Sequence, residues 1–299
     1  MTTLKPTASP RLVVILASTG RPDMLSAALH HWRRQSRKAD RIILSVVSDR
    51  DLPGAAAREG CTVVSGPRGL PAQRNRALRL VDGKADYIAF FDDDYFPSRH
   101  CLERLEAFLE SHPDVAGATG RLLADGARTT GVPLGAAERM LRDYDREAPP
   151  PHGGARCVEG LYGCNMAYRA ASIAGLAFDE RLKLYGWQED IDFAVQAGRR
   201  GRTVATDAFV GVHLGTKGAR ASGLRLGYSQ VQNPLYLWGK GTMSARFARK
   251  LILRNLMANH LRSLAPEPWV DRVGRVKGNW LGLVDALRGR LTPERIEEL

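Results

Sequence analysis

Between residues 12 and 109 the chain alternates two kinds of segment, and few folds accept that alternation. Leu12-Val13-Val14-Ile15-Leu16-Ala17, residues 41–47, Cys61-Thr62-Val63-Val64 and Tyr87-Ile88-Ala89-Phe90-Phe91 are short, apolar and rich in β-branched or aromatic side chains, so they read as strands. After the first run, Met24, Leu25, Ala28, Leu29 and Trp32 recur at helical spacing; after the fourth, Leu102, Leu105, Phe108 and Leu109 do the same. Strands apolar along their whole length want burial on both faces. The pattern therefore predicts an α/β fold, a mostly parallel sheet flanked by helices.

Polar groups collect where these strands end. The first runs into Ser18-Thr19-Gly20-Arg21-Pro22, whose proline suits the first position of a helix. Such a turn suits a phosphate group or a plain β–α connection equally. The second strand ends in Ser48-Asp49, where an Asp serves as a turn residue or accepts hydrogen bonds from a base or ribose. The third leads through Gly66-Pro67-Arg68-Gly69-Leu70-Pro71 into a helix with Arg74 in its first turns. Cations avoid that end of the helix dipole, so Arg74 predicts an anionic partner. The fourth delivers Asp92-Asp93-Asp94, three adjacent anions that cannot be buried unpaired. A divalent cation or a ring of basic groups would hold them; read alone, they fit equally an acidic turn that caps the helix after Pro97. Neither GxGxxG nor a Walker loop occurs, which counts against a dinucleotide oxidoreductase and a P-loop NTPase.

The 299 residues suffice for one large α/β domain plus an appendage, and 44% hydrophobic with 25% charged residues is ordinary for a globular protein. No apolar run approaches the roughly 20 residues that cross a bilayer. Met1-Thr2-Thr3-Leu4-Lys5-Pro6 lacks the apolar core of a signal peptide, which predicts a cytoplasmic protein. Cys61, Cys101, Cys157 and Cys164 form no CxxC pair and are expected as small buried residues, not zinc ligands or disulfides. The net charge of +12 predicts acidic partners: phosphorylated substrates, an anionic membrane surface or nucleic acid. Scattered basic residues without a recognised binding module argue against nucleic acid.

Beyond Gly120 the alternation stops. Residues 123–156, rich in Gly, Pro and mixed charge and containing Pro149-Pro150-Pro151, predict a long loop, functional or disordered. Residues 160–169 read as a strand. Gly186-Trp187-Gln188-Glu189-Asp190-Ile191-Asp192 puts three carboxylates in the first turn of a helix, which favours the dipole whatever else they do. Val204-Ala205-Thr206 and Val210-Gly211-Val212-His213 read as closing strands. Residues 222–230, together with Lys217, Arg220 and Arg225, predict a basic lid or surface loop. From 244 to 264 a helix carries Arg246, Lys250 and Arg254 on one stripe, which would suit anionic lipid headgroups. Met257, Leu261 and Leu264 continue that stripe, so a packing or homodimer contact fits it equally. Trp269, Trp280, Leu281, Leu283, Val284 and Leu287 predict a further helix pair.

Four segments in one order, Ser18-Thr19-Gly20-Arg21-Pro22, Arg74-Asn75, Phe91-Asp92-Asp93-Asp94 and Gly186 to Asp192, resemble the inverting GT-A glycosyltransferases of the large family 2. The third would be their DxD motif and the fourth their acidic ED motif. The resemblance implies a Rossmann-like GT-A domain over roughly residues 10–240, followed by a C-terminal helical extension over 241–299. Carried over residue by residue, it implies that Ser18, Thr19 and Arg21 line the nucleotide, Asp49 meets the base or ribose, and Arg74 lies near the base or diphosphate. Asp92 would face the ribose, Asp94 would help hold Mg²⁺ or Mn²⁺, and Asp93 would share the donor or metal role. His213 would add a metal contact. Asp190 would be the general base, with Glu189 and Asp192 its near competitors. Thr19-Gly20-Arg21 departs from the family's more frequent Tyr-Asn-Arg.

The residue types suit that chemistry: carboxylates bind hard cations, and a carboxylate can take the proton of an attacking hydroxyl. The expected function is transfer of a sugar, with inversion, from a nucleoside-diphosphate donor (UDP first) to a saccharide or lipid-linked acceptor in cell-surface polysaccharide or glycoconjugate synthesis. Peripheral contact at the inner face of the membrane is expected with it. Two rival readings are a nucleotidyltransferase on a similar sheet and a catalytically silent nucleotide-sugar-binding or scaffold protein. The first needs a glycine-rich, lysine-containing phosphate loop that Ser18-Thr19-Gly20-Arg21 does not supply; intact Asp92, Asp94 and Asp190 count against the second.

Overall fold

The computed structural model describes residues 11–81, 83, 85–147, 154–216 and 222–299. Its first half is the expected alternation: β1 (Leu12–Ala17), α1 (Pro22–Arg33), β2 (Arg41–Val46), β3 (Thr62–Ser65), α2 (Leu70–Leu78), β4 (Tyr87–Asp92), β5 (Tyr95–Pro97) and α3 (Cys101–Ser111). Pro22 and Pro71 both sit in the first turns of their helices, where a missing N–H costs nothing. The chain continues through β6 (Val115–Asp125), α4 (Leu134–Glu147), β7 (Ala155–Cys157), β8 (Asn165–Arg169), α5 (Ala170–Ile173), α6 (Glu189–Gly198) and β9 (Arg202–His213). Three long helices follow: α7 (Gly223–Lys240), α8 (Ala245–Ser263) and α9 (Arg272–Leu287).

The strands form one mixed sheet in the order β3-β2-β1-β4-β8-β6-β9-β5, with β7 on β9. β1 to β4 are mutually parallel, β8 is antiparallel to both of its neighbours, and β6 runs parallel to β9. Alternation along each parallel strand explains its burial. Leu12, Val14 and Leu16 face α1 and α3 with Leu29, Trp32 and Leu105, while Val13 and Ile15 face the opposite layer with Phe178 and Phe193. Each fully buried Leu or Phe contributes about 1.5–3 kcal/mol, so both layers are needed to seat the strands.

Strand order reverses between β1 and β4, whose carboxyl ends are in register, Ala17 opposite Asp92. Outside the carboxyl ends of strands at such a switch point, an open sheet leaves a crevice. Ser18-Thr19-Gly20-Arg21 and Asp92-Asp93-Asp94 both leave the sheet there.

Several expectations change. Much of the loop predicted over 123–156 is structured: β6 runs on to Asp125, and α4 occupies residues 134–147 with Ala137 and Leu141 buried. Its Gly and mixed charge hid one amphipathic helix. Pro149-Pro150-Pro151 lie outside the described residues, as do Lys217 and Arg220. The two closing strands are one, β9. The predicted lid over 222–230 is the first half of α7, capped by Ser222 and held by backbone contact with α9. A Cβ on Gly227 would lie 2.1 Å from the Arg275 carbonyl oxygen, and one on Gly278 would lie 2.0 Å from that of Leu224. Glycine there lets two helix backbones touch. The helix pair predicted after residue 269 is the single helix α9. Of the cysteines, Cys101 and Cys164 are buried as expected, whereas Cys61 is half-buried and Cys157 exposed; all four are free thiols.

Candidate active site

The three aspartates at the end of β4 do not share one task. Asp94 and Asp92 turn toward His213, at the end of β9: His213 Nε2 lies 3.4 Å from an Asp94 oxygen and 4.0 Å from one of Asp92. Asp93 turns the other way and is fully buried. It accepts a 2.5 Å hydrogen bond from the Ser18 hydroxyl and pairs with Arg21. β4 ends at Asp92, and the turn over Asp93 and Asp94 sends their side chains apart. Burial raises the Asp93 carboxyl to about 7 against the pull of Arg21. The expectation that Asp93 shares the metal role is thereby corrected: its carboxylate, with the Ser18 hydroxyl, ties the first loop to the sheet.

Arg21 joins both sides. It pairs with Asp93, approaches Asp94 at 3.4 Å and donates to the Thr216 hydroxyl at 2.5 Å. Thr216 in turn donates its N–H and hydroxyl to Asp94 at 2.9 and 2.6 Å. Thr19 lies beside Gln73, whose amide donates to the carbonyls of Ser18 and Ser45. Asp49 is exposed at the end of β2; its neighbour Asp51 is buried and accepts from the backbone N–H groups of Gly20, Val47 and Ser48. Asp51 thus shapes the first loop, a role the sequence assigned to no residue.

Arg74 has the anionic partner its helix position predicted, and that partner is the protein's own. The guanidinium is 1% exposed; it pairs with Glu189, donates to Asp92 at 3.1 Å and to the Gly163 carbonyl at 2.7 Å. It ties the DxD turn to the start of α6. The Glu189 carboxylate is spent on this pair, and burial pushes it up to about 8 against the pull of Arg74. Asp190 is half-buried. It accepts the Gly163 N–H and the Ile191 N–H at 2.9 Å each, and burial raises its carboxyl above the usual range. Gln188, immediately before α6, has φ 74°, an outlier at the turn that presents these groups. Asp192, the third carboxylate of this turn, is fully buried and accepts from Thr242, Lys240 and Gln196. It anchors α6 to the end of α7.

Asp92, Asp94 and His213 place one ligand atom each within 4.8 Å of one another. Asp125, at the end of β6, sits 2.8 Å from His213 Nδ1. An Nδ1–H donated there leaves Nε2 free to ligate, the outer-sphere arrangement common in metal sites. Burial pulls the imidazole pKa down, but the bonds to Asp125 and Asp94 outweigh it and lift it to about 10. Burial raises Asp94, and His213 more than reverses that, leaving it well below the usual carboxylate range. Around the crevice Asp92, Asp94, Asp125 and Asp190 outnumber the cations Arg21, Arg74 and His213, of which Arg21 and Arg74 are also shared with the buried Asp93 and Glu189, a deficit of positive charge that a divalent cation would reduce. Two carboxylates and an imidazole suit Mn²⁺ or Mg²⁺ on oxygen preference, so the residues fit such an ion.

These groups open on a cavity of about 280 Å³. Arg21, Asp92, Asp94, His213 and Thr216 line one side, Tyr185 and Trp187 another, and Leu226, Gln230 and Arg275 reach in from α7 and α9. Gln230 is held by Asn259, which also bonds Asn279, so α7, α8 and α9 share one buried polar network behind the wall. The expected boundary near residue 240 therefore divides helices that together close the site. Asp125, Thr216 and Arg275 escaped the sequence reading, and Gln230 entered it only as part of the predicted lid over 222–230. Asp125 could have been found, since it ends an apolar strand as Asp92 does.

Residues 13–153 match the family model described as glycosyl transferase family 2. Over those residues the chain resembles a family 2 glycosyltransferase domain. A comparison with curated protein sequences finds no match. Among solved structures, the chain is similar to the mannosyltransferase PcManGT from Pyrobaculum calidifontis in complex with GDP-Man and Mn²⁺, at TM-score 0.54 and 17% identity, covering 97% of this chain and 86% of that one. It is also similar to residues 1–349 of S. aureus TarS in complex with UDP-GlcNAc, at TM-score 0.51 and 16% identity, covering 97% and 83%. It spans 44% of the longer TarS chain. At these identities the likeness is one of fold, and the fold is the mostly parallel GT-A sheet with flanking helices expected from the sequence.

Proposed function

We propose that the protein transfers a sugar from a nucleoside-diphosphate donor to a hydroxyl of a saccharide or lipid-linked acceptor, with inversion, in the synthesis of a cell-surface polysaccharide or glycoconjugate. The observation that carries this reading is the convergence of Asp92, Asp94, His213 and Arg21 on one cavity at the switch point of the sheet. Asp92, Asp94 and His213 would hold Mg²⁺ or Mn²⁺, which when bound offsets the charge that develops on the departing diphosphate. Arg21, hydrogen-bonded to Thr216 at the same edge, adds a fixed cation beside that position. Trp187 offers a face for a sugar ring at the cavity wall, and Asp190 follows it by three residues at the start of α6.

In this reading Asp190 takes the proton of the acceptor hydroxyl as its oxygen bonds to the anomeric carbon. The bond from that carbon to the diphosphate oxygen breaks on the opposite face, so configuration inverts. Glu189 and Arg74 orient the turn and take no proton, because each is committed to the other. Structural neighbours in complex with GDP-Man and with UDP-GlcNAc support a nucleotide-sugar donor, and we expect UDP. A lipid-linked acceptor would place the protein in peripheral contact with the inner face of the membrane, and a homodimer would be the competing use of the same C-terminal surface.

Calorimetry against UDP, GDP and dTDP with and without Mn²⁺ tests the donor site; absence of metal-dependent binding to all three would overturn it. Asp190→Asn should keep donor binding and abolish transfer. Unchanged transfer would remove Asp190 as the base.

A further inference from the structure

Sixteen large apolar side chains stand exposed among the described residues, and eleven of them lie between Trp238 and Leu291. That concentration needs a partner, because apolar surface scattered singly would not cluster on three helices. On α8, Ala248, Leu251, Ile252 and Asn259 face inward, and one outward stripe carries everything else of note. Its first half is cationic, with Arg246, Arg249, Lys250 and Arg254 exposed. Its second half is mainly apolar: Leu253, Met257, Leu261 and Leu264 are each at least half exposed, and the exposed cation there, Arg262, is paired with Glu267 just beyond the helix. The helix is thus divided along its length, not around its circumference, which is why it lacks a clean amphipathic pattern.

The neighbouring helix adds to the apolar half. Glycine contacts with α7 fix the inner face of α9, so Val273, Trp280 and Leu287 face outward. Trp280 is 56% exposed, and its indole N–H donates to His260 of α8 at 3.0 Å. Both helices therefore present one surface, joined at that bond.

We infer that this α8–α9 face docks the protein on an anionic lipid bilayer, with the apolar half entering the interface and the cationic half meeting phosphate headgroups. Charge decides the occupant. α8 contains no carboxylate, and the lone one of α9, Asp285, is buried against Arg295. A second copy pressed on the same face would set unpaired cations against cations or apolar side chains. Lipid phosphates pair those cations, and nucleic acid would leave the apolar half in water. No helix among the described residues is long and apolar enough to cross a membrane, so the face lies on the bilayer. Exposed tryptophan at its edge suits the interfacial layer. The inference deepens the peripheral contact proposed above and stands independently of what the cavity binds.

The test is flotation of the full chain with vesicles of phosphatidylcholine alone and of phosphatidylcholine mixed with phosphatidylglycerol. Binding to the mixed vesicles only is expected. Arg249→Gln with Arg254→Gln should weaken it by roughly 30-fold. Met257→Gln with Leu261→Gln should weaken it by roughly 100-fold, since two side chains stay in water. All four positions are exposed, and an unchanged circular dichroism spectrum with unchanged nucleotide calorimetry separates loss of docking from loss of fold or of the donor site. Equal binding to both vesicle types, binding to neither, or a dimer in analytical ultracentrifugation that the Met257/Leu261 variant abolishes would overturn the inference.

Discussion

Removing the Arg74 side chain is the sharpest test of how this site is held. The guanidinium is 1% exposed and satisfies three groups at once: Glu189, itself 3% exposed, Asp92 and the Gly163 carbonyl. Arg74→Met keeps most of the volume and removes the charge. It leaves a buried carboxylate and a buried carbonyl without partners, and breaking a buried ion pair in this way costs about 3–5 kcal/mol. Asp92 adds less, because its side chain keeps 28% exposure and water can screen it. Replacing both members, Arg74→Met with Glu189→Gln, removes the unpaired charge, so the double variant should be more stable than Arg74→Met alone. The coupling should reach at least about 1.5 kcal/mol. Urea unfolding of the four proteins of the cycle measures it. Additive effects, or a cost below about 1 kcal/mol for Arg74→Met, would refute the account of Arg74 as the clamp between the DxD turn and α6.

Asp94→Asn or His213→Ala should abolish Mn²⁺-dependent nucleotide binding in calorimetry while leaving the fold intact. His213 must lose its proton to ligate, and its pKa stands near about 10, so Mn²⁺ affinity should rise about tenfold per pH unit below that value. In chelator the sign reverses for stability: the contribution of protonated His213 is complete below the unfolded value of 6.5 and is lost as pH rises through about 10, which thermal melts across that window would show. Asp192→Ala should destabilise by about 2–4 kcal/mol without altering donor binding, because its carboxylate serves Thr242 and Lys240 and not the cavity. Gly278→Ala should cost at least about 1–3 kcal/mol in urea unfolding by forcing α9 off α7.

Local patterns carried the first half of the molecule into view. Unbroken apolar runs in β1 and β4, prolines opening α1 and α2, and the acidic end of β4 are consequences of residues close together in the chain, so they are readable without coordinates. Three of the four segments behind the resemblance to family 2 glycosyltransferases lie there, and the family model matches residues 13–153. Reading failed where the signal was composition without period. α4 was hidden by Gly, Pro and charge, and the glycines of α7 and α9 suggested a loop when they allow two backbones to touch.

What the sequence could determine by itself was the kind of sheet and the inventory of charged groups at its carboxyl edge, because hydrophobic period and the cost of burying charge act locally. Which charge meets which was decided only by the tertiary structure. Asp92 and Asp94 find His213, 119 positions beyond Asp94, through the pairing of β5 with β9. Asp93 finds Arg21 because the turn that follows β4 carries its side chain away from Asp92 and Asp94, toward the first loop. Arg74 and Glu189, both expected to serve ligands, neutralise each other because a buried cation takes the nearest anion that the fold supplies.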